Sequence, residues 1–240
     1  MPMSGETAAE RLQDALAELA RPEATARERA RAEAAYRRAL ADILPTALAG
    51  EAGPDLTLDA GDPPRRLVPA DLAVITPVAD SRSGTPDTTV ITDIADTPET
   101  PGLHRPGLGL PTVARIASDD PHVPRHGFQV PATLVALPDP ADASRMKLSL
   151  LDPRRVAEVD VAGRRLPVAM DLEAPIQAAS DLGPGFFLGL RHLFRPDRFD
   201  GYANIYFLEP YDPAKRPLVL VHGLMATPTA WNPLVRQLLA

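Results

Sequence analysis

The sequence predicts a mixed chain, α+β ahead of α/β, and three observations carry that reading. Leucines recur at helical spacing near the N-terminus. Short β-branched runs separated by prolines fill the middle, and one continuously apolar run leads into a helix near the C-terminus. Three regions follow: a helical hairpin over 1–50, a Pro-rich, β-containing accessory region over 51–145, and a β/α region over 146–240. A chain of 240 residues exceeds one average domain of ~100–200 residues.

Taken in order, Thr7 and Glu10 fit a capping box ahead of the first helix. Leu12, Leu16 and Leu19 give that helix one apolar face. Pro22 interrupts, and its missing N–H suits the first turn of a second helix. Tyr36, Leu40, Ile43 and Leu44 line one side of that helix, with Arg and Glu on the other. Glutamates among the arginines argue for a solvated face rather than a membrane-surface helix. Beyond Gly50, Val74-Ile75, Thr89–Ile91, Val130–Leu137 and Met146–Leu151 are candidate strands, and Asp80–Thr100 reads as a loop. Fifteen of the 28 prolines fall in residues 51–145, which favours edges and loops over a continuous sheet. Val156–Val161 and Leu166–Met170 form a hairpin turning at Ala162-Gly163-Arg164. Ala174–Ala179 and Gly185–Phe194 read as short helices, Ala203–Leu208 as a mixed aromatic run, and Glu209–Pro213 as a turn. Pro217–Val221 is apolar throughout, as a strand covered on both faces is. With few partner strands in the chain, it is expected to be loosely held, with Leu and Val exposed.

Composition narrows the chemistry. Cysteine is absent, which excludes disulfides, thiolate metal sites and a cysteine nucleophile. A net charge of −7 argues against a nucleic-acid partner, which calls for a basic face. The excess is concentrated: residues 51–145 carry 14 acids against 7 bases. No apolar stretch reaches the ~18 residues of a membrane-spanning helix. The polar start, Met1 to Arg11, is not a signal peptide. The cytoplasm is therefore the default compartment, with export or a lipid anchor the alternative if the true start lies upstream.

One segment carries chemistry: Val221-His222-Gly223-Leu224-Met225-Ala226-Thr227-Pro228-Thr229-Ala230-Trp231. A buried strand ending in His-Gly, a short loop of small residues and then a helix is the connectivity an oxyanion hole needs. Asn232 suits the N-cap and Pro233 the first helical position. Leu234, Val235, Leu238 and Leu239 give the helix its apolar face. Here the sequence resembles the α/β-hydrolase family, over its third strand, its His-Gly oxyanion loop and the start of its first helix. Gly107–Pro111 and Tyr206–Pro213 are also similar to a bacterial lipase/esterase-like subgroup with an N-terminal extension. The resemblance makes residues 146–240 the truncated start of an α/β-hydrolase domain. It implies that Leu224 N–H, with Met225 next, donates to the oxyanion, and that His222 and Gly223 support the loop. Gly223 is expected to adopt a conformation or close approach that a Cβ would obstruct.

The departure is in the nucleophile. None of Ser4, Ser81, Ser83, Ser118, Ser144, Ser149 or Ser180 stands in a G-x-S-x-G elbow, and all precede the His-Gly run. The resemblance thus implies the N-terminal part of a longer enzyme, with nucleophile, acid and base outside these residues. A small-molecule or lipid-like ester is the implied substrate class, with no cofactor and no metal. The competing reading is a non-catalytic β-rich binding or scaffolding module with a hydrolase-like tail. His122 and His126 share metal-ligand spacing, but Pro121 and Pro124 interrupt them. His104 and His192 read as surface or packing residues, and Asp119-Asp120 as a solvated loop. Gly183, Gly185 and Gly189 mimic a dinucleotide turn, but Pro184 and the lack of a preceding strand set that aside.

Overall fold

The computed structural model describes residues 8–49, 56–58, 65–69, 88–94, 101–117, 128–139, 142–181, 216–223 and 228–240. Helices and mainly antiparallel strand pairs are both present, an α+β arrangement, with one parallel pair between Arg65–Pro69 and Asp142–Leu151. The expected elements Val74-Ile75, Gly185–Phe194, Ala203–Leu208 and Glu209–Pro213, and the Thr7 half of the first capping box, lie outside the described residues.

Helix α1 (Ala8–Ala20) and helix α2 (Ala26–Ala49) form the expected hairpin. Leu12, Leu16 and Leu19 are buried on α1, and Tyr36, Leu40, Ile43 and Leu44 on α2, as their spacing required. Pro22 stands in the turn and not in the second helix, which opens at Ala26. The residue that starts α2 is Thr25, whose N–H and hydroxyl both donate to Glu28 Oε2, at 2.7 and 2.6 Å. Glu28 N–H donates back to Thr25 Oγ1 at 3.3 Å. This reciprocal capping box holds the Glu28 carboxyl below its usual range through those Thr25 bonds.

Ten strands follow. They are β1 (Leu56–Leu58), β2 (Arg65–Pro69), β3 (Thr88–Ile94), β4 (His104–Arg105) and β5 (Leu110–Ala117). After these come β6 (Phe128–Asp139), β7 (Asp142–Leu151), β8 (Glu158–Val161), β9 (Arg164–Pro167) and β10 (Met170–Asp171). A six-stranded sheet runs β1-β2-β7-β6-β5-β3, while β8–β9 and β4–β10 form two-stranded sheets. Thr88–Ile94 is a strand, as expected for Thr89–Ile91, and corrects the reading of all of Asp80–Thr100 as a loop. The prolines also do not exclude an inner strand: β6 contains Pro131 and Pro138 and lies between β7 and β5. Pro131 falls outside the Thr133–Asp139 stretch that pairs with β7, and the register shifts between Pro138 and Asp139, the kind of irregularity at which strand prolines are found.

The chain divides into two units. The first comprises residues 1–75, 105–112 and 132–170. Its buried residues include the apolar faces of α1 and α2 and Leu134, Val135, Ala136, Met146, Leu148 and Leu150 of β6 and β7. Tyr36 Oη donates to Ala136 O at 2.7 Å and accepts from Ala136 N–H at 2.8 Å, filling the place of a neighbouring strand. Burial pushes the Tyr36 phenol well above its usual range, so it stays neutral. Ala162 (φ 53°) and Gly163 (φ 82°) make the two-residue turn of the β8–β9 hairpin, the left-handed pair that such hairpins favour. Arg164 opens β9 and donates through Nη1 to Arg21 O at 2.7 Å, covering carbonyls at the end of α1.

The second unit comprises residues 76–104, 113–131 and 171–240. Helix α3 (Glu173–Asp181) matches the expected Ala174–Ala179 helix, and a 3₁₀ turn (Pro228–Trp231) leads into helix α4 (Asn232–Leu239). Pro217–Val221 is coil, not a strand. Leu218, Val219 and Val221 are 65%, 74% and 77% exposed. An apolar run becomes a strand only when a partner takes up its N–H and C=O groups. The exposure of Leu and Val agrees with the expectation. Their secondary structure does not.

Candidate functional site

The segment that carries the chemistry is described only at its two ends. Leu224 and Met225 lie outside the described residues, as do His122, His126, His192 and Asp119-Asp120. His222 and Gly223 stand on the exposed coil, with His222 Nδ1 3.1 Å from Gly223 O. A Cβ added at Gly223 meets nothing within 4 Å, and its φ is outside the left-handed range. Among the described residues, then, nothing crowds Gly223 in the way that was expected. Asn232 is not the N-cap. The 3₁₀ turn runs straight into α4, so Trp231 holds the cap position in helical geometry without a side-chain bond. Asn232 instead faces α3, donating from Nδ2 to Ser180 Oγ at 2.9 Å.

The polar cluster that the second unit does assemble surrounds the start of α3. Asp171 Oδ1 accepts the N–H groups of Glu173 and Ala174 at 2.9 and 3.0 Å, capping the helix. Its Oδ2 lies 3.2 Å from His104 Nε2, brought there by the pairing of β4 with β10. The histidine read as a surface or packing residue is thus half-buried beside a carboxylate. Glu173, only 3% exposed, receives Arg236 in a fork: Nε lies 2.9 and 2.8 Å from its two oxygens, and Nη2 completes the contact. The Arg236 hydrogen bonds hold the Glu173 carboxyl below its usual range, against the opposing effect of burial. Ser180 Oγ donates to Ile176 O at 2.7 Å and takes the Asn232 bond, so its hydroxyl serves helix packing and not nucleophilic attack. The Asp-x-Glu start of α3 is a capping signal visible in the sequence. Arg236, 63 positions away, has no such local signal.

Among the described residues, a cleft between α1 and α2 of about 230 Å³ is lined by Arg11, Asp14, Ala15, Ala35 and Arg38, below the ~300–1,000 Å³ of small-molecule sites. Among the described residues no group of three His, Asp or Glu side chains is placed to hold a metal. No helix among them is long and apolar enough to cross a membrane. No family model matches the chain, and neither a curated protein nor a solved structure matches it.

The Glu173–Arg236 pair has a pH signature with a defined sign. A carboxyl whose folded value is depressed adds stability above its ordinary range and loses it as pH falls through the folded value. The docking of α4 on α3 is expected to weaken between about pH 5 and pH 3, spanning the ordinary glutamate value of ~4.3. Amide exchange of residues 232–239 across that range checks it. The difference between the wild-type chain and Glu173→Gln should shrink as pH falls, and a pH-independent difference would refute the assignment.

Proposed function

We propose that this chain is the N-terminal part of a serine hydrolase that cleaves an ester or related acyl bond, with the nucleophile outside these residues. The observation that carries the reading is the connectivity from Leu218 to Leu239. A continuously apolar run ends at His222-Gly223, and four residues later a helical turn opens into an amphipathic helix. The exposure of Leu218, Val219 and Val221 supports it, since a sheet strand without its neighbours leaves those side chains uncovered.

In this reading the strand forms when parallel partners flank it. Leu224 N–H, with Met225 N–H next, then faces the carbonyl oxygen under attack, and the donor from the residue after the nucleophile completes the pair. A serine attacks, and the developing oxyanion is held by donors already aimed at it. Removing one such donor typically costs ~2.7–4 kcal/mol of transition-state stabilisation. His222 orders the loop and transfers no proton. The second unit's Asp171, Glu173 and His104 take no part in this chemistry.

The test uses the product of the full parent reading frame, assayed with a p-nitrophenyl ester and a fluorophosphonate probe. A serine in a G-x-S-x-G context should be labelled. Gly223→Val should lower kcat by about 10²–10³ while leaving KM nearly unchanged, because the oxyanion exists only in the transition state. In the 240-residue chain itself the same substitution should leave the unfolding midpoint unchanged, since its Cβ meets nothing, and no turnover should be detected. A reading frame without the elbow, or labelled enzyme indifferent to Gly223→Val, defeats the reading and leaves a binding or scaffolding module in its place.

A further inference from the structure

Helix α4 is attached to α3 by its polar side. Glu173 and Ser180 lie seven apart on α3, while Asn232 and Arg236 lie four apart on α4, spacings that keep each pair on one helical face. Asn232 meets Ser180 and Arg236 meets Glu173, so the contacts run in opposite directions along the two helices. Apolar contact is limited: Leu234 and Val235 are half-buried and Ala240 lies close to Gly102, but α4 has no fully buried residue, and Leu238 and Leu239 are 59% and 37% exposed.

Both charges of the fork also have a second stabilising environment. Glu173 occupies the first turn of α3, where the exposed N–H groups and the helix dipole favour an anion. Gln177 Nε2 lies 3.4 Å from Glu173 Oε1, and His104 also favours its charged form. Asp171, which faces the same helix start, is occupied with the Glu173 and Ala174 amides and His104. Arg236 stands in the last turn of α4, where a cation suits the carbonyl end, and its side chain is already 35% exposed. Separating the pair therefore leaves the buried Glu173 with the helix start, Gln177 and His104, and leaves Arg236 at the surface.

We propose that Arg236 and Glu173 form a latch that holds α4 on α3 and opens without disturbing the rest of the second unit. The latch is independent of the hydrolase reading. When open, it frees α4, while α3 keeps its Asp171 cap.

Hydrogen exchange on the 240-residue chain tests this at pH 7. Arg236→Ala should speed exchange over residues 232–239 by about tenfold or more, since hydrogen bonds to charged groups are the stronger ones. Arg236→Lys, which keeps the charge but loses the fork, should fall between. Peptides from α3 and from β4–β10 should keep their wild-type rates. In the unmodified chain, raising the salt from low to about 0.5 M should accelerate the same 232–239 segment alone, because ion pairing is screened. This arm decides the matter if a variant fails to fold. Unchanged exchange over 232–239 under both treatments would overturn the latch. Exchange that also rises throughout α3 would overturn it too, by showing that the pair belongs to the core.

Discussion

Replacing Gly107 with alanine is expected to destabilise the first unit by about 3–5 kcal/mol, the range of severe single substitutions. The cause is steric. A Cβ at Gly107 would press into the Pro167 carbonyl oxygen, with Pro167 C at 2.8 Å and Ala169 N at 2.9 Å. Those are backbone atoms held by two bonds, Leu108 N–H to Pro167 O at 2.8 Å and Ala169 N–H to Leu108 O at 2.9 Å. No flexible side chain can yield, so the bridge between Leu108 and Val168 must open or shift. Gly163→Ala is the control. Its φ is +82° but nothing lies within 4 Å of the added Cβ, so only the conformational cost of about 1–2 kcal/mol applies. Urea titrations followed by circular dichroism compare the two. Equal losses would show that close approach is not what Gly107 provides.

Tyr36→Phe should cost about 2–4 kcal/mol, well above the effect of deleting an exposed hydroxyl. Tyr36 is fully buried, and its oxygen is both donor and acceptor to the one residue Ala136. Phenylalanine keeps the ring packing but leaves a buried N–H and a buried C=O without a partner, each worth about 1–3 kcal/mol. For a domain of this size the thermal midpoint should fall by roughly 5–10 °C. A loss below about 0.5 kcal/mol would mean that those two backbone groups find other partners.

The helical hairpin was legible because its information is local. Leu12, Leu16 and Leu19 mark one face within three turns, and Tyr36 to Leu44 mark another. Each face is buried as the spacing implies. The hairpin from β8 to β9 was legible for the same reason: alternating strands stand on either side of a turn containing Gly163. Even Thr25 with Glu28 is a local signal, although the proline at position 22 drew the helix start to the wrong residue.

Where partners are distant, the sequence alone was insufficient. Tyr36 and Ala136 are 100 positions apart, and Glu173 and Arg236 are 63 apart. A side chain's spacing shows which face it occupies but not which group it meets there. Gly107 and Gly109 pack against backbone that lies far away in sequence, at Pro167 and at Leu134.

Pro217–Val221 marks the boundary most sharply. By itself the sequence determined that this run is apolar on both sides and leads through His222-Gly223 to an amphipathic helix. Tertiary structure alone decided that the run stays an exposed coil while α4 rests on α3 through Asn232 and Arg236. The physical reason is that helices satisfy their backbone groups within the segment, whereas a strand must borrow its hydrogen-bond partners from elsewhere in the fold.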